Sequence, residues 1–151
     1  MFPATVSLLS FVLIVHGAHL PKTAVRDAAE QSSQPLRCWE PEDPMNPESK
    51  HVLSEPIYQY CYYFPFTDLI RYLVSGVDIK SDDYTNIANI FANSDTSYAP
   101  LSLCLTEGFQ LSSTQPSNVM TRCFCKRSGC NLPGTFAAYL DFNSNPIPKL
   151  A

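Results

Sequence analysis

The chain has 151 residues, with 10 basic and 14 acidic side chains and a formal net charge of −4. That length holds one domain once the ends are set aside, and the acidic balance argues against a nucleic-acid partner, which usually calls for a basic domain. Thirteen prolines against five glycines predict many irregular connections between short elements.

The first feature in chain order is the apolar run Val6–Val15. A membrane-spanning helix needs about 20 apolar residues, and this run is shorter; it has the length of the hydrophobic stretch of a secretory leader. Cleavage is expected after Val15-His16-Gly17, giving a signal peptide over 1–17, with a cut after Ala18 as the second choice. No Lys or Arg precedes the run, so the terminal amine alone supplies positive charge. At the other end the chain reads FAAYLDFNSNPIPKLA, which lacks the hydrophobic tail of a lipid-anchor signal. The expectation is a secreted, extracellular protein with no stable membrane anchor. No Asn-x-Ser/Thr acceptor occurs, so N-linked glycan is not expected.

Residues 18–36 lack aromatics and cysteine and read as a flexible arm. A cysteine-bounded region, 37–131, follows, and 132–151 reads as a tail. The region opens with Glu40-Pro-Glu-Asp-Pro-Met-Asn-Pro, a loop by composition that lacks the ordered oxygen spacing of a calcium site. Tyr58, Tyr60, Tyr62, Phe64 and Phe66 then alternate with Gln59, Cys61, Tyr63 and Pro65, which is the period of a strand. Cys61 points away from the five aromatics.

From Thr67 the spacing changes. Leu69, Ile70, Leu73, Val74 and Val77 recur at threes and fours, with Thr67 placed to cap a helix and Gly76 to end it. The same stretch also fits a strand, because Ile70, Tyr72 and Val74 alternate. A second helix is predicted after Ser81-Asp82-Asp83, carried by Tyr84, Ile87, Ala88, Ile90 and Phe91. Leu101, Leu103 and Leu105 alternate around Cys104, a polar loop runs from Gln110 to Asn118, and Val119–Cys125 returns as a strand. The fold expected is a small disulfide-rich β domain with a partly helical insertion at about 67–93.

Six cysteines in a secreted chain imply three disulfides. Cys123 and Cys125 share one face of a strand, so a bond between them would be strained and each takes another partner. Cys125 and Cys130 enclose Lys-Arg-Ser-Gly, a turn in which Gly129 is free to take positive φ. Cys104 and Cys123 staple the predicted hairpin, which leaves Cys38 for Cys61. The rival reading, zinc held by Cys104, Cys123, Cys125 and Cys130, lacks the C-x2-C knuckle of structural sites. No cofactor or metal is expected.

The string CFCKRSGCN, with Leu36-Arg37-Cys38-Trp39 at the start, resembles three-finger domains of the urokinase-receptor and snake-toxin type. Its C-x-C-x4-C-N ending is similar to that of secreted nematode variants. The resemblance implies a three-finger-like antiparallel sheet, with Cys125–Cys130 as the closing disulfide, Cys104–Cys123 stapling the third finger, and Asn131 hydrogen-bonded into the palm. It also implies ligands or receptor modulators that act through exposed surfaces. The extra cysteines of the first finger are absent, and the stretch from Cys61 to Cys104 is long and partly helical by pattern.

Function therefore points to a secreted, non-enzymatic, cysteine-rich module that binds an extracellular or cell-surface protein. The first candidate surface is Tyr58, Tyr60, Tyr62 and Phe64, since aromatics are favoured in interface hot spots. The same rings would equally serve as core beneath the 67–93 segment, because a small domain needs its aromatics inside. The second is the basic trio Arg122, Lys126 and Arg127, suited to sulfated glycans or anionic membranes. Catalysis is not expected: after cleavage only His19 and His51 remain, and nothing places a nucleophile and a third group beside either. The alternative function is a secreted protease inhibitor presenting the 110–118 loop, stapled at its base by Cys104 and Cys123.

Overall fold

The computed structural model describes residues 33–77, 84–93, 98–110 and 116–144. The predicted signal peptide, most of the predicted arm, the Ser81–Asp83 cap and residues 111–115 of the polar loop lie outside the described residues. The elements are β1 (Trp39–Pro41), β2 (His51–Leu53), β3 (Tyr60–Pro65), β4 (Tyr72–Val77), α1 (Thr85–Ala92), β5 (Ser102–Phe109), β6 (Asn118–Cys125) and α2 (Phe136–Ser144). β1 and β2 form a small hairpin, and the other four strands make one antiparallel sheet in the order β4-β3-β6-β5.

The alternation in β3 becomes two cores, one on each face of the sheet. Cys61 and Tyr63 of β3, Val74 of β4, and Cys123 and Cys125 of β6 bury one face with Leu36, Cys38, Cys130 and Tyr139. Tyr63 is fully buried and stacks on Tyr139 of α2, with ring centroids 4.4 Å apart. Tyr60, Val77 and Phe124 bury the opposite face with Ile87 and Phe91 of α1. Tyr60 stacks on Phe91 at 5.2 Å, and Tyr84 meets Phe124 edge-on at 5.6 Å. Each helix is short and covers one face, so each apolar face of the sheet acquires its own layer.

Three disulfides hold the sheet, the β1–β2 hairpin and the closing turn: Cys38–Cys61, Cys104–Cys123 and Cys125–Cys130. They are the pairs expected from the spacing, and no cysteine is free. Cys104 and Cys123 face each other in the β5–β6 register, as do Cys61 and Cys125 in the β3–β6 register. The Cys125–Cys130 turn uses Gly129 at φ 72°, in the left-handed region that glycine enters without a Cβ penalty, and the Gly129 N–H donates to the Arg37 carbonyl at 2.7 Å.

Two sequence expectations are corrected. The first predicted helix is a turn followed by strand β4, paired with β3 from Tyr60↔Val77 to Pro65↔Tyr72. Thr67 sits in the turn rather than at a cap. Gly76 lies inside the strand, where a Cβ would come within 2.0 Å of Cγ of Tyr58. The Tyr58 ring thus occupies the space that any side chain at 76 would need. Among the described residues of the 67–93 insertion, helix is confined to α1. The second correction concerns the ends of the domain. Leu36, assigned to the arm, is buried and pairs through its backbone with Tyr58. Within the predicted tail of 132–151, the described residues up to Ser144 include α2, which closes over the sheet with Tyr139 fully buried. Thr135 stands before this helix and its hydroxyl accepts from the Ala138 N–H at 3.3 Å.

Candidate binding surfaces

The aromatic stripe is divided by the fold. Tyr60 is 5% exposed and lies beneath α1, so it offers no surface to a partner. Tyr62 is half-buried against the same cluster. Burial raises its pKa, with the Tyr84 hydroxyl adding to the effect and a hydrogen bond with Ser75 opposing it. Tyr58 precedes β3 and packs on the other core, its hydroxyl donating to Oε2 of Glu40 at 2.8 Å. Of the four candidate-surface residues, Phe64 alone stays clear of both buried clusters, half-buried and edge-on to Phe66 at 5.7 Å.

The basic trio is likewise not a joint patch. Arg127 is 4% exposed, and its guanidinium donates from Nη2 to Oδ1 of Asn143 on α2 at 3.2 Å. Burial lowers its pKa. Arg122 is bound in a two-pronged ion pair with Glu107 across the β5–β6 ladder, Nη2 to Oε1 at 2.9 Å, and stands over the Phe124 ring. Lys126 is half-buried, with Nζ 5.8 Å from the centre of the Tyr60 ring.

Asn131 is fully buried at the junction of β1, β3 and β4. Its Nδ2 donates to the carbonyls of Trp39 (2.9 Å), Tyr62 (3.1 Å) and Ser75 (3.2 Å). Its Oδ1 accepts from the Trp39 N–H at 2.9 Å. One amide side chain therefore ties the small hairpin to the main sheet, immediately after the Cys125–Cys130 turn.

The far end of the sheet carries an exposed apolar tip that the sequence reading did not single out. The β3–β4 turn runs from Phe66 to Arg71, closed by the Phe66 N–H donating to the Arg71 carbonyl at 2.9 Å. The Asp68 carboxylate accepts from the N–H groups of Ile70 and Arg71 at 3.0 and 2.9 Å and pairs with the Arg71 guanidinium at 2.7 Å. These bonds hold the Asp68 carboxyl well below the usual carboxylate range, at about 2. Leu69 is held at φ 57°, a left-handed conformation uncommon for a leucine. It projects 52% exposed, beside Ile70 at 67%, and Val119 at the start of β6 is 68% exposed. Between turn and strand lies a groove of about 340 Å³ lined by Phe64, Pro65, Phe66, Leu69, Val119 and Met120. The signal was present as Asp68-Leu69-Ile70 between two alternating runs, but the helical spacing of the same leucine and isoleucine concealed it.

Among the described residues, no helix is long and apolar enough to cross a membrane. A model described as a family of unknown function, DUF5354, matches residues 23–144. The chain belongs to this family. The DUF5354 match runs past Asn131 to the end of α2, in keeping with the extended domain boundary. The uncharacterized protein C02B8.3 of Caenorhabditis elegans is 47% identical to the chain over 129 residues, covering 84% of this chain and 97% of the relative. No solved structure matches the chain.

Proposed function

We propose that the protein is a secreted, non-enzymatic binding module that engages an extracellular or cell-surface protein through the apolar tip of its sheet. The observation that carries this reading is the tip itself. Leu69 and Ile70 on a turn fixed by the Asp68 carboxylate, with Val119 at the start of β6, expose apolar surface at the opposite end of the sheet from the disulfides. Single exposed apolar residues are ordinary, but a cluster beside an apolar groove marks an interaction site. A fixed turn loses little conformational entropy on binding, which favours affinity. Three closely spaced disulfides suit an oxidising compartment and support secretion. The three-finger resemblance is supported by the antiparallel sheet, the closing Cys125–Cys130 loop and the bonds of Asn131 to three strands.

The test is saturable binding of the labelled protein to intact cells dissociated from a nematode, compared with the double variant Ile70→Asp, Val119→Asp. Both positions are exposed, so the fold should survive the change. The expected result is at least a tenfold loss of affinity, since buried unpaired charges at an interface are costly. Equal binding by the variant, or no saturable binding at all, would refute the reading.

A further inference from the structure

A second site lies on the flank of the sheet and shares no lining residue with the groove at the tip. There the β1–β2 hairpin and its proline-rich loop meet the edge strand β4 around a cavity of about 520 Å³. That size falls within the range of roughly 300–1,000 Å³ typical of small-ligand sites. Pro41, Pro44, Pro47 and Leu73 give its wall an apolar part, with Tyr58 and the Glu40 carboxylate it hydrogen-bonds set among them.

The loop that forms one wall is ordered by its own hydrogen bonds. The Glu42 N–H donates to the Lys50 carbonyl at 2.8 Å, and the Asp43 N–H to the Ser49 hydroxyl at 3.0 Å. The Asn46 N–H closes back on the Asp43 carbonyl at 2.9 Å. The cavity is therefore shaped before any ligand arrives. Glu40 is fixed as well, because Oε2 accepts the Tyr58 hydroxyl proton at 2.8 Å. Its second oxygen, Oε1, has no hydrogen-bond partner among the described residues. His51 rests against the Tyr72 ring at 5.5 Å, and burial lowers its pKa. No Lys or Arg is among the described lining residues, so the formal charge of the wall is negative.

The chemistry of the wall narrows the ligand. An anion would be repelled by Glu40. A neutral apolar ligand would strip water from Oε1 and return nothing to it. A calcium ion takes six to eight oxygens, and one carboxylate among rings and prolines does not supply them. An organic cation satisfies every part: its charge pairs with the carboxylate, and its alkyl groups lie on the aromatic and proline surfaces, where cation–π attraction adds to apolar contact. We propose that this cavity binds an alkylammonium or guanidinium group, with Glu40 as counter-ion and Tyr58 as the aromatic wall. The group could belong to a free amine or to a lysine or arginine side chain of a protein ligand; the recognition chemistry is shared.

The experiment follows backbone amide resonances of Glu40, His51 and Ser75 while the protein is titrated with choline, with butylguanidinium, and with 3,3-dimethyl-1-butanol, the neutral carbon isostere of choline. Saturable shifts are expected with both cations, with the isostere at least tenfold weaker, because it lacks the charge that faces Glu40 and the cation–π attraction to the aromatic wall, together worth about tenfold or more in a desolvated site. Glu40→Gln keeps an acceptor for the Tyr58 hydroxyl and removes the charge, and should weaken choline at least tenfold. Pentapeptides carrying one Lys or Arg, against their Ala counterpart, identify the source. Tighter binding than choline favours a protein side chain, and weaker binding a free amine. Equal affinity for choline and its isostere, unchanged affinity in Glu40→Gln, or no shift at these amides with millimolar cation would overturn the proposal. The comparison of choline with its isostere decides on the unaltered chain even where the variant folds poorly. Neither outcome bears on the tip, whose variants leave this cavity untouched.

Discussion

Replacing Asn131 should show how far one buried amide organises this domain. Its side chain makes four hydrogen bonds to backbone groups of Trp39, Tyr62 and Ser75 and is fully buried. At a net value of about 1 kcal/mol each, Asn131→Ala should cost about 4 kcal/mol, a large part of the 5–15 kcal/mol typical of a small domain. Water entering the vacated space would reduce the loss, and stranded carbonyls would increase it. Asn131→Asp sharpens the test, because it keeps the acceptor facing the Trp39 N–H and replaces the amide donor with an oxygen. That oxygen would face three carbonyls, so the carboxyl pKa should rise above its unfolded value of about 3.9. An acid whose folded pKa is raised binds its proton more tightly when folded, so stability falls as pH rises through and above the unfolded value. The variant should therefore be closest to the parent near pH 3, where a neutral carboxyl can still donate one bond, and weakest at pH 7. Urea unfolding of the disulfide-intact protein at both pH values measures this. A loss under 1 kcal/mol in Asn131→Ala, or an Asn131→Asp variant relatively more stable at pH 7 than at pH 3, would refute the reasoning.

Other perturbations follow from the same geometry. Gly76→Ala, usually mildly stabilising in a strand, should here cost about 1–3 kcal/mol because its Cβ meets the Tyr58 ring, and that penalty should disappear in a Tyr58→Ala background when both are unfolded in urea. Leu69→Asn should raise the melting temperature by a few degrees, since asparagine tolerates the left-handed conformation that costs leucine about 1 kcal/mol or more, while weakening cell binding at the tip. Opening Cys38–Cys61 by paired Ser substitution should cost more than opening Cys125–Cys130, about 3.4 against 2 kcal/mol, because the sequence separations are 23 and 5 residues; calorimetry of the two variants decides the order. Burial pushes Tyr63 up to about 12, and its hydroxyl donates to the Gly134 carbonyl at 2.7 Å. Stability should accordingly fall between about pH 10 and 12. Absorbance at alkaline pH should show Tyr63 ionising late, whereas a normal tyrosine titration curve for all residues in the folded protein would contradict it.

Much of this fold is legible along the chain because its signals are local. The alternation around Cys61 identifies β3 and separates its two faces, and both faces turn out to be buried. The spacing of Cys104, Cys123, Cys125 and Cys130 is enough to place two disulfides, since a hairpin ladder and a glycine turn bring those pairs together without help from distant residues. The stretch from Thr67 to Val77 is different. Its apolar residues satisfy both the helical and the strand period, and the ambiguity is resolved only by pairing with β3 and by the Tyr58 ring against Gly76. The surfaces were the least legible part. Tyr60 and Arg127 read as exposed candidates, yet each is covered by a helix, and the tip at Leu69 and Ile70 was hidden within a helical pattern.

What the sequence alone determined was therefore periodicity, turn chemistry and cysteine pairing, all set by residues close in the chain or bound by stereochemistry. What only the tertiary structure decided was which faces are covered. Tyr63 stacks on Tyr139, and the Asn131 side chain bonds to Trp39 across a separation of 92 residues. Burial is a property of such distant pairs. Periodicity shows that a face is apolar, but the partner that removes it from water must be found elsewhere in the chain.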